Sequence, residues 1–217
     1  MKVGTDGVLL GAWAPVNGAR KILDIGTGTG LIALMLAQRS EARIDAIEID
    51  QPASEEAKFN FERSAWKERL SLINADFHQF AGSDDHIYDL IVSNPPFFVN
   101  SLKSGNSASS MARHNDMLTF DQLILGARKL LNNSGRLCVI LPFSSFEEFK
   151  ESARMVGFYL RRVTTVSPRI GRVPKRVLME FSIEAVYPVE DKLTILDSIG
   201  GYTEDYKVLT APFYPAF

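Results

Sequence analysis

The chain is short of the residues that staple small domains and build metal centres. Of its 217 residues only one is cysteine, Cys138, and three are histidine. A lone thiol cannot close an internal disulfide, which fits a reducing compartment, and it excludes a metal site built on several cysteines. His78, His86 and His114 are widely scattered and read as surface histidines rather than ligands. An excess of one charge is missing too: 24 basic residues face 26 acidic ones, for a net charge of -2. That argues against a strongly basic nucleic-acid protein and against an acidic disordered chain. No apolar run approaches the ~18–20 residues that cross a bilayer. The stretch Val8–Ala14 lies between Asp6 and Pro15 and makes a poor signal peptide. With 46% hydrophobic and 23% charged residues, the chain is expected to be a cytoplasmic, single-domain protein with a filled core and no membrane span.

What is present is alternation, with no internal repeat and no low-complexity tract. Lys21–Ile25, Arg43–Ile49, Leu70–Asn74 and Tyr88–Ser93 read as short strands. Leu31–Ala37 and Pro52–Ser64 read as helices between them, with Pro52 suited to a first helical turn. Such β-α-β-α order argues for a parallel sheet with helices on both faces. Further on, Phe120–Leu131 has apolar residues at helical spacing and Asn132–Gly135 stops it. Arg136–Leu141 follows as a strand, Phe146–Val156 as a helix, and Phe158–Val166 and Arg176–Ile183 as two late strands joined by the loop Ser167–Lys175. Asn100–Ser110 reads as a mobile break, and Gly200–Phe217 carries no assignment.

Four clusters carry chemistry. Asp24-Ile25-Gly26-Thr27-Gly28-Thr29-Gly30 lies between a predicted strand and a predicted helix, where glycines let the backbone turn sharply against a ligand. The spacing is G-x-G-x-G rather than the G-x-G-x-x-G of nicotinamide enzymes. An acidic Asp24 beside it suits an ammonium group better than a pyrophosphate. Glu48 stands 22 positions after Gly26 at the end of the second strand, where a carboxylate accepts from ribose hydroxyls. Asp50 competes for that role, and Glu48 is favoured. Asp76 with Phe77 ends the third strand and could meet the amine and the face of an adenine, or be a plain polar strand end. Asn94-Pro95-Pro96-Phe97 follows the apolar strand Leu90-Ile91-Val92. Its prolines stiffen the loop, so the Asn94 side-chain carbonyl and the proton-free Pro95 peptide form a fixed array of acceptors for a planar amine.

The order DIGTGTG, Glu48, Asp76, NPPF resembles the class I S-adenosylmethionine-dependent methyltransferases of the amino-methylating (N/D)PP(Y/F) type. The opening MKVGTDGVLLGAWA, Ala112-Arg113-His114 and Arg172–Val177 make it similar to the bacterial tRNA adenine-N6 methyltransferases that modify adenine-37 beside the anticodon of a valine tRNA. The resemblance spans roughly residues 20–185. It implies one methyltransferase domain over 1–217, with 1–19 packing near the cofactor, 20–185 as core and 186–217 as a C-terminal extension. The implied fold is α/β: a Rossmann-like, doubly wound, seven-stranded sheet, mostly parallel with an antiparallel C-terminal strand. Family members usually carry a further segment ahead of MKVGTDG, so the start is expected to be shortened.

The resemblance also implies roles. Gly26, Thr27, Gly28 and Gly30 would cradle the methionine part of S-adenosyl-L-methionine, with Asp24 near its ammonium. Glu48 would hold the ribose, and Asp76 and Phe77 the adenine. Asn94, Pro95 and Pro96 would orient the target amine, Asn94 also touching the cofactor, and Phe97 would stack on the flipped base. Thr5, within Gly4–Gly7, would line the cofactor's other side, although a plain turn reads equally well. The sulfonium carries its own leaving group, so neither a covalent nucleophile nor a metal is required, only placement of amine and methyl at ~3–3.5 Å.

A tRNA partner needs positive charge. The window Lys150–Val177 holds eight basic residues against Glu151 alone, a local +7 within a chain of net charge -2. Arg172, Lys175 and Arg176 cluster in its loop and are the expected phosphate contacts, with Arg113 and Lys103 as weaker ones. Lys150 and Arg154 fit solvated helix charges. A monomer is the expected state. Competing readings are transfer to guanine N2 of ribosomal RNA, to DNA adenine or to a protein glutamine, and a non-catalytic cofactor- or RNA-binding relative.

Overall fold

The computed structural model describes residues 4–82, 87–96 and 118–214. The expected Asn100–Ser110 break, Phe97, Lys103, Arg113, His86 and His114 lie outside the described residues.

Strands β1 (Lys21–Ile25), β2 (Arg43–Glu48), β3 (Leu70–Asn74) and β4 (Tyr88–Ser93) form on the short apolar runs. Between them come α2 (Leu31–Arg39), α3 (Gln51–Glu62) and α4 (Phe77–Phe80), the last a single turn. Helix α3 starts where Asp50 accepts from the Ala53 N–H, with Pro52 in its first turn. Helix α5 (Phe120–Leu130) opens on a reciprocal pair between Thr119 and Gln122. It is followed by β5 (Leu131–Pro142), α6 (Phe146–Met155), β6 (Tyr159–Arg169) and β7 (Arg176–Ser182).

The strands form one sheet in the order β3-β2-β1-β4-β5-β7-β6-β8. The first five are mutually parallel, and β7 runs antiparallel to β5 and to β6. The sheet has eight strands, one more than the seven expected. The eighth, β8 (Val189–Leu196), lies at the edge, parallel to β6. Its first four residues are exposed, and the charged run Glu190-Asp191-Lys192 hides the strand from pattern reading while guarding the edge against further pairing.

Two more elements depart from expectation. The stretch that reads as a turn and an apolar run is one helix, α1 (Thr5–Trp13), apolar on all sides and buried from Gly7 onward. Gly11 admits the neighbouring helix: a Cβ there would meet Met35 Sδ at 2.7 Å. Glu204–Thr210, within the unassigned C-terminal stretch, forms α7.

Side chains of successive strand residues leave opposite faces, which gives two cores. Ile22, Ile44, Leu90, Val92 and Ile140 pack with Leu9, Trp13, Ile32, Leu36, Phe61 and Tyr206 from α1, α2, α3 and α7. Leu23, Ile47, Ile91, Leu137 and Val139 pack with Phe77, Leu123, Ile124 and Phe149 from α4, α5 and α6. Each fully buried aliphatic or aromatic side chain contributes about 1.5–3 kcal/mol. Cys138 is buried in the first of these cores.

Candidate active site

Chain order reverses across the sheet at β1, with β2 and β3 on one side and β4 and β5 on the other. Ligands of open α/β sheets bind at that switch point, beyond the carboxyl ends of the strands. A cavity of about 560 Å³ lies there. Its walls lie at the ends of four neighbouring strands: Gly26–Thr29 after β1, Glu48 and Ile49 at the end of β2, Ala75–Phe77 after β3, and Ser93–Pro96 at the end of β4. Gly4 and Gly7 of the α1 entry, Leu31 and Ile32 of α2, and Leu118 complete it.

The glycine turn is pinned from below. Ile47 O accepts from both the Gly26 and the Thr27 N–H, at 2.9 and 3.0 Å. Gly26 and Gly28 have φ of 70° and 58°, a region that residues with a Cβ avoid. Glu48 Oε2 accepts from the Gly28 N–H at 2.8 Å and Oε1 from the Asp50 N–H at 2.9 Å, so this carboxylate is held in the cavity wall. Asp50 is occupied at the cap of α3 and does not line the cavity.

Asp24 is fully buried and is not itself a wall residue. Its Oδ2 accepts from Thr27 Oγ1 at 2.6 Å and from the Ala33 N–H at 3.2 Å. Oδ1 is buried with no partner among the described residues. Burial raises this carboxyl to about 7, against the bonds from Thr27 and Ala33, and the charge of Glu48 adds to the rise. At the end of β4, Ser93 Oγ donates to Ile25 O at 2.9 Å, fastening β4 to β1 just before Asn94. Asn94 Oδ1 is likewise buried and without a partner among the described residues. Such orphaned acceptors cost about 1–3 kcal/mol each and are rare in folded proteins. Among the described residues they are the two members of their kind, and they belong to the carboxyl ends of adjacent strands.

Asp76 Oδ1 accepts from the Gln79 N–H and caps α4, with its residue in the wall. The Phe77 ring forms wall on one side and packs against Gly126 on the other, where a Cβ would meet Phe77 Cε1 at 2.5 Å. The structure thus brings together Gly26, Thr27, Gly28, Glu48, Asp76, Phe77, Asn94, Pro95 and Pro96. Gly30 and Thr5 do not line the cavity. A Cβ on Gly30 would lie 2.4 Å from Phe61 Cε1, so this glycine lets α3 pack against the turn. Sequence reasoning missed Ile47, Ile49, Leu118 and Ser93, whose apolar or small side chains look like ordinary core. Ile49 is the one with a usable signal, an apolar residue set between Glu48 and Asp50 just past the strand end.

Most of the basic window has internal partners. Arg161 and Arg162 pair with the buried Glu180, and Arg162 also stacks on Trp13 with its guanidinium 3.7 Å from the ring centroid. Lys150 and Arg154 pair along α6 with Glu147 and Glu151. Arg176 Nε donates to Asp6 Oδ2 at 2.7 Å, so its guanidinium is engaged with α1. Arg172 and Lys175 are exposed and have no ion-pair partner among the described residues.

The fold and this site define an α/β class I methyltransferase. The methyltransferase small domain family matches residues 5–155. Over 216 residues the chain is 45% identical to a tRNA1(Val) (adenine(37)-N6)-methyltransferase of Bacteroides thetaiotaomicron, covering 99% of this chain and 90% of that one. It is 47% identical over 214 residues to the protein of the same name in Phocaeicola vulgatus, covering 99% and 91%. Among solved structures it superimposes on a predicted O-methyltransferase from Agrobacterium tumefaciens, with a TM-score of 0.72, 20% identity and coverage of 95% and 96%. The chain belongs to the methyltransferase small domain family and, within it, to the tRNA1(Val) (adenine(37)-N6)-methyltransferases.

Proposed function

We propose that this enzyme transfers the methyl group of S-adenosyl-L-methionine to the N6 amine of adenine 37 in a valine tRNA, in the cytoplasm where that substrate resides. The observation that carries this is Asn94 Oδ1, a buried acceptor with no partner among the described residues, set in the cavity wall and followed by two prolines.

The donor set fits the cofactor. Asp24 Oδ1 is an unpartnered acceptor buried beneath the glycine turn that forms the cavity wall, as an ammonium seated on that turn would require, and the Glu48 carboxylate is fixed for ribose hydroxyls. Ile47, Ile49 and Phe77 offer apolar surface to a purine, and Asp76 an acceptor for its exocyclic amine. When bound, the sulfonium supplies an activated methyl group together with its own leaving group. The chain's residues then do the positioning. Asn94 Oδ1 and the adjoining peptide accept the two N6 protons, which aims the nitrogen lone pair away from them. Ser93, bonded to Ile25 O, and the ring of Pro95 fix the backbone on either side of that acceptor. The methylated amine sheds its extra proton readily, so the site needs no strong general base. An anticodon loop supplies an adenine that leaves its stack at low cost.

Incubation with methyl-labelled cofactor and separate pools of unmodified tRNA, ribosomal RNA, DNA and protein tests the reading. The expected product is N6-methyladenosine in tRNA alone. Label in another pool would replace the substrate.

A further inference from the structure

Strands β1, β4, β5, β6 and β8 point the same way, so the loops that follow them share one rim of the molecule. The loop after β8 is built rather than loose: Asp197 Oδ1 accepts from the N–H groups of Ile199, Gly200 and Gly201 at 2.8–2.9 Å. This turn holds Ile199 outward, 91% exposed. It abuts the β6–β7 loop, for the Ile170 N–H donates to Leu196 O at 2.9 Å and a Cβ on Gly200 would lie 3.5 Å from an Arg169 nitrogen. That second loop exposes Val173 by 69% and Ile170 by 57%, between Arg169, Arg172 and Lys175. Arg172 and Lys175 have no ion-pair partner among the described residues, whereas Arg169 is offset by the charge of Asp197. Exposed apolar tips beside such free cations suit RNA, where cations meet phosphates and apolar side chains meet sugar and base faces.

We propose that the loops Arg169–Lys175 and Asp197–Tyr202 together form a docking surface for the tRNA beyond the reacting nucleotide. The C-terminal strand β8 carries half of it. The surface lies up to four strand spacings, about 19 Å, from Asn94 along the rim. A nucleotide seated in the cavity does not reach that far, so the docking is with the flanking stem or loop. The exposed Arg172 and Lys175 give this face positive charge that complements the phosphate backbone. The proposal rests on tRNA being the substrate.

Val173→Glu and Ile199→Glu, alone and combined, test it on the full chain with full-length tRNA. Both positions are exposed, so the fold tolerates the change; Val173→Ala and Ile199→Ala give a milder pair that adds no charge. The double glutamate variant should raise KM for tRNA about ten-fold or more. Its kcat at saturating tRNA and its Kd for S-adenosylhomocysteine, by calorimetry, should match the parent, and the alanine pair should shift KM in the same direction by less. Parental KM in every variant overturns the surface while leaving the proposed function standing. A change confined to sedimentation, from dimer to monomer, overturns it in favour of an interface between two copies. A parent that labels no tRNA overturns both readings at once.

Discussion

Arg176 Nε stands 2.7 Å from Asp6 Oδ2 and ties the start of β7 to the first turn of α1 across 170 positions of sequence. Gly4 and Gly7, on either side of Asp6, are cavity walls, and the N-terminal cap of α1 has no side-chain bond of its own. The pair is partly exposed, at 35% and 22%, so its worth is limited by screening. Through Asp6, Arg176 is tied to the segment that carries Gly4 and Gly7, and the expected effect is on cofactor binding. Arg176→Ala should weaken S-adenosylhomocysteine binding by about three- to ten-fold. Asp6→Ala should do the same, and the double variant should add little, the signature of a single interaction. An effect of Arg176→Ala on KM for tRNA alone would return the residue to the RNA face.

Asn94→Ala removes the acceptor proposed to fix the amine and leaves the glycine turn and Glu48 in place. Turnover should fall by about 100-fold or more while cofactor affinity stays within a few-fold. Parental turnover in this variant would remove Asn94 from the orienting role.

Arg172 and Lys175 are exposed cations without ion-pair partners among the described residues, as phosphate binding requires. Arg172→Glu combined with Lys175→Glu should raise KM for tRNA. It should also flatten the dependence of log KM on log salt, by roughly 0.7–0.9 for each phosphate that is no longer neutralised. A slope equal to the parent's would place the RNA elsewhere.

The raised carboxyl of Asp24 should make cofactor affinity depend on pH. Burial lifts its carboxyl from 3.8 to about 7, so in the cofactor-free protein the neutral form dominates below that value. The stability it contributes is complete below pH 3.8 and is lost as pH rises toward about 7. A ligand ammonium favours the ionised form, so binding below about pH 7 expels a proton. Affinity for S-adenosylhomocysteine should therefore climb as pH approaches about 7 from the acid side and then level off. Titration calorimetry in two buffers of different ionisation heat measures both the affinity and the proton. Asp24→Asn should flatten the profile. A level profile in the parent would separate Asp24 from the ammonium.

The centre of the sheet was legible in the sequence because β1 to β4 each combine a short apolar run with a polar residue at or just past its carboxyl end. Gly26, Glu48, Asp76 and Asn94 all stand at those ends, so finding the strands found the cavity. Helix α1 stayed hidden because Gly7 and Gly11 depress helix propensity, and only the close approach of Met35 explains Gly11. Strand β8 stayed hidden because its pairing with β6 is made by backbone, under side chains of mixed charge. The basic window was legible as charge but not as geometry. Nothing in the run Arg172–Arg176 tells which cation is left exposed and which has a carboxylate waiting at Asp6. Likewise Gly30 reads as part of the ligand cradle, whereas its missing Cβ makes room for Phe61.

The most direct measurement is nucleoside analysis of two valine tRNA transcripts after reaction with methyl-labelled cofactor, one with adenine at position 37 and one with guanine there. The result predicted is N6-methyladenosine from the first and no label in the second. Equal labelling of both would contradict transfer to adenine 37.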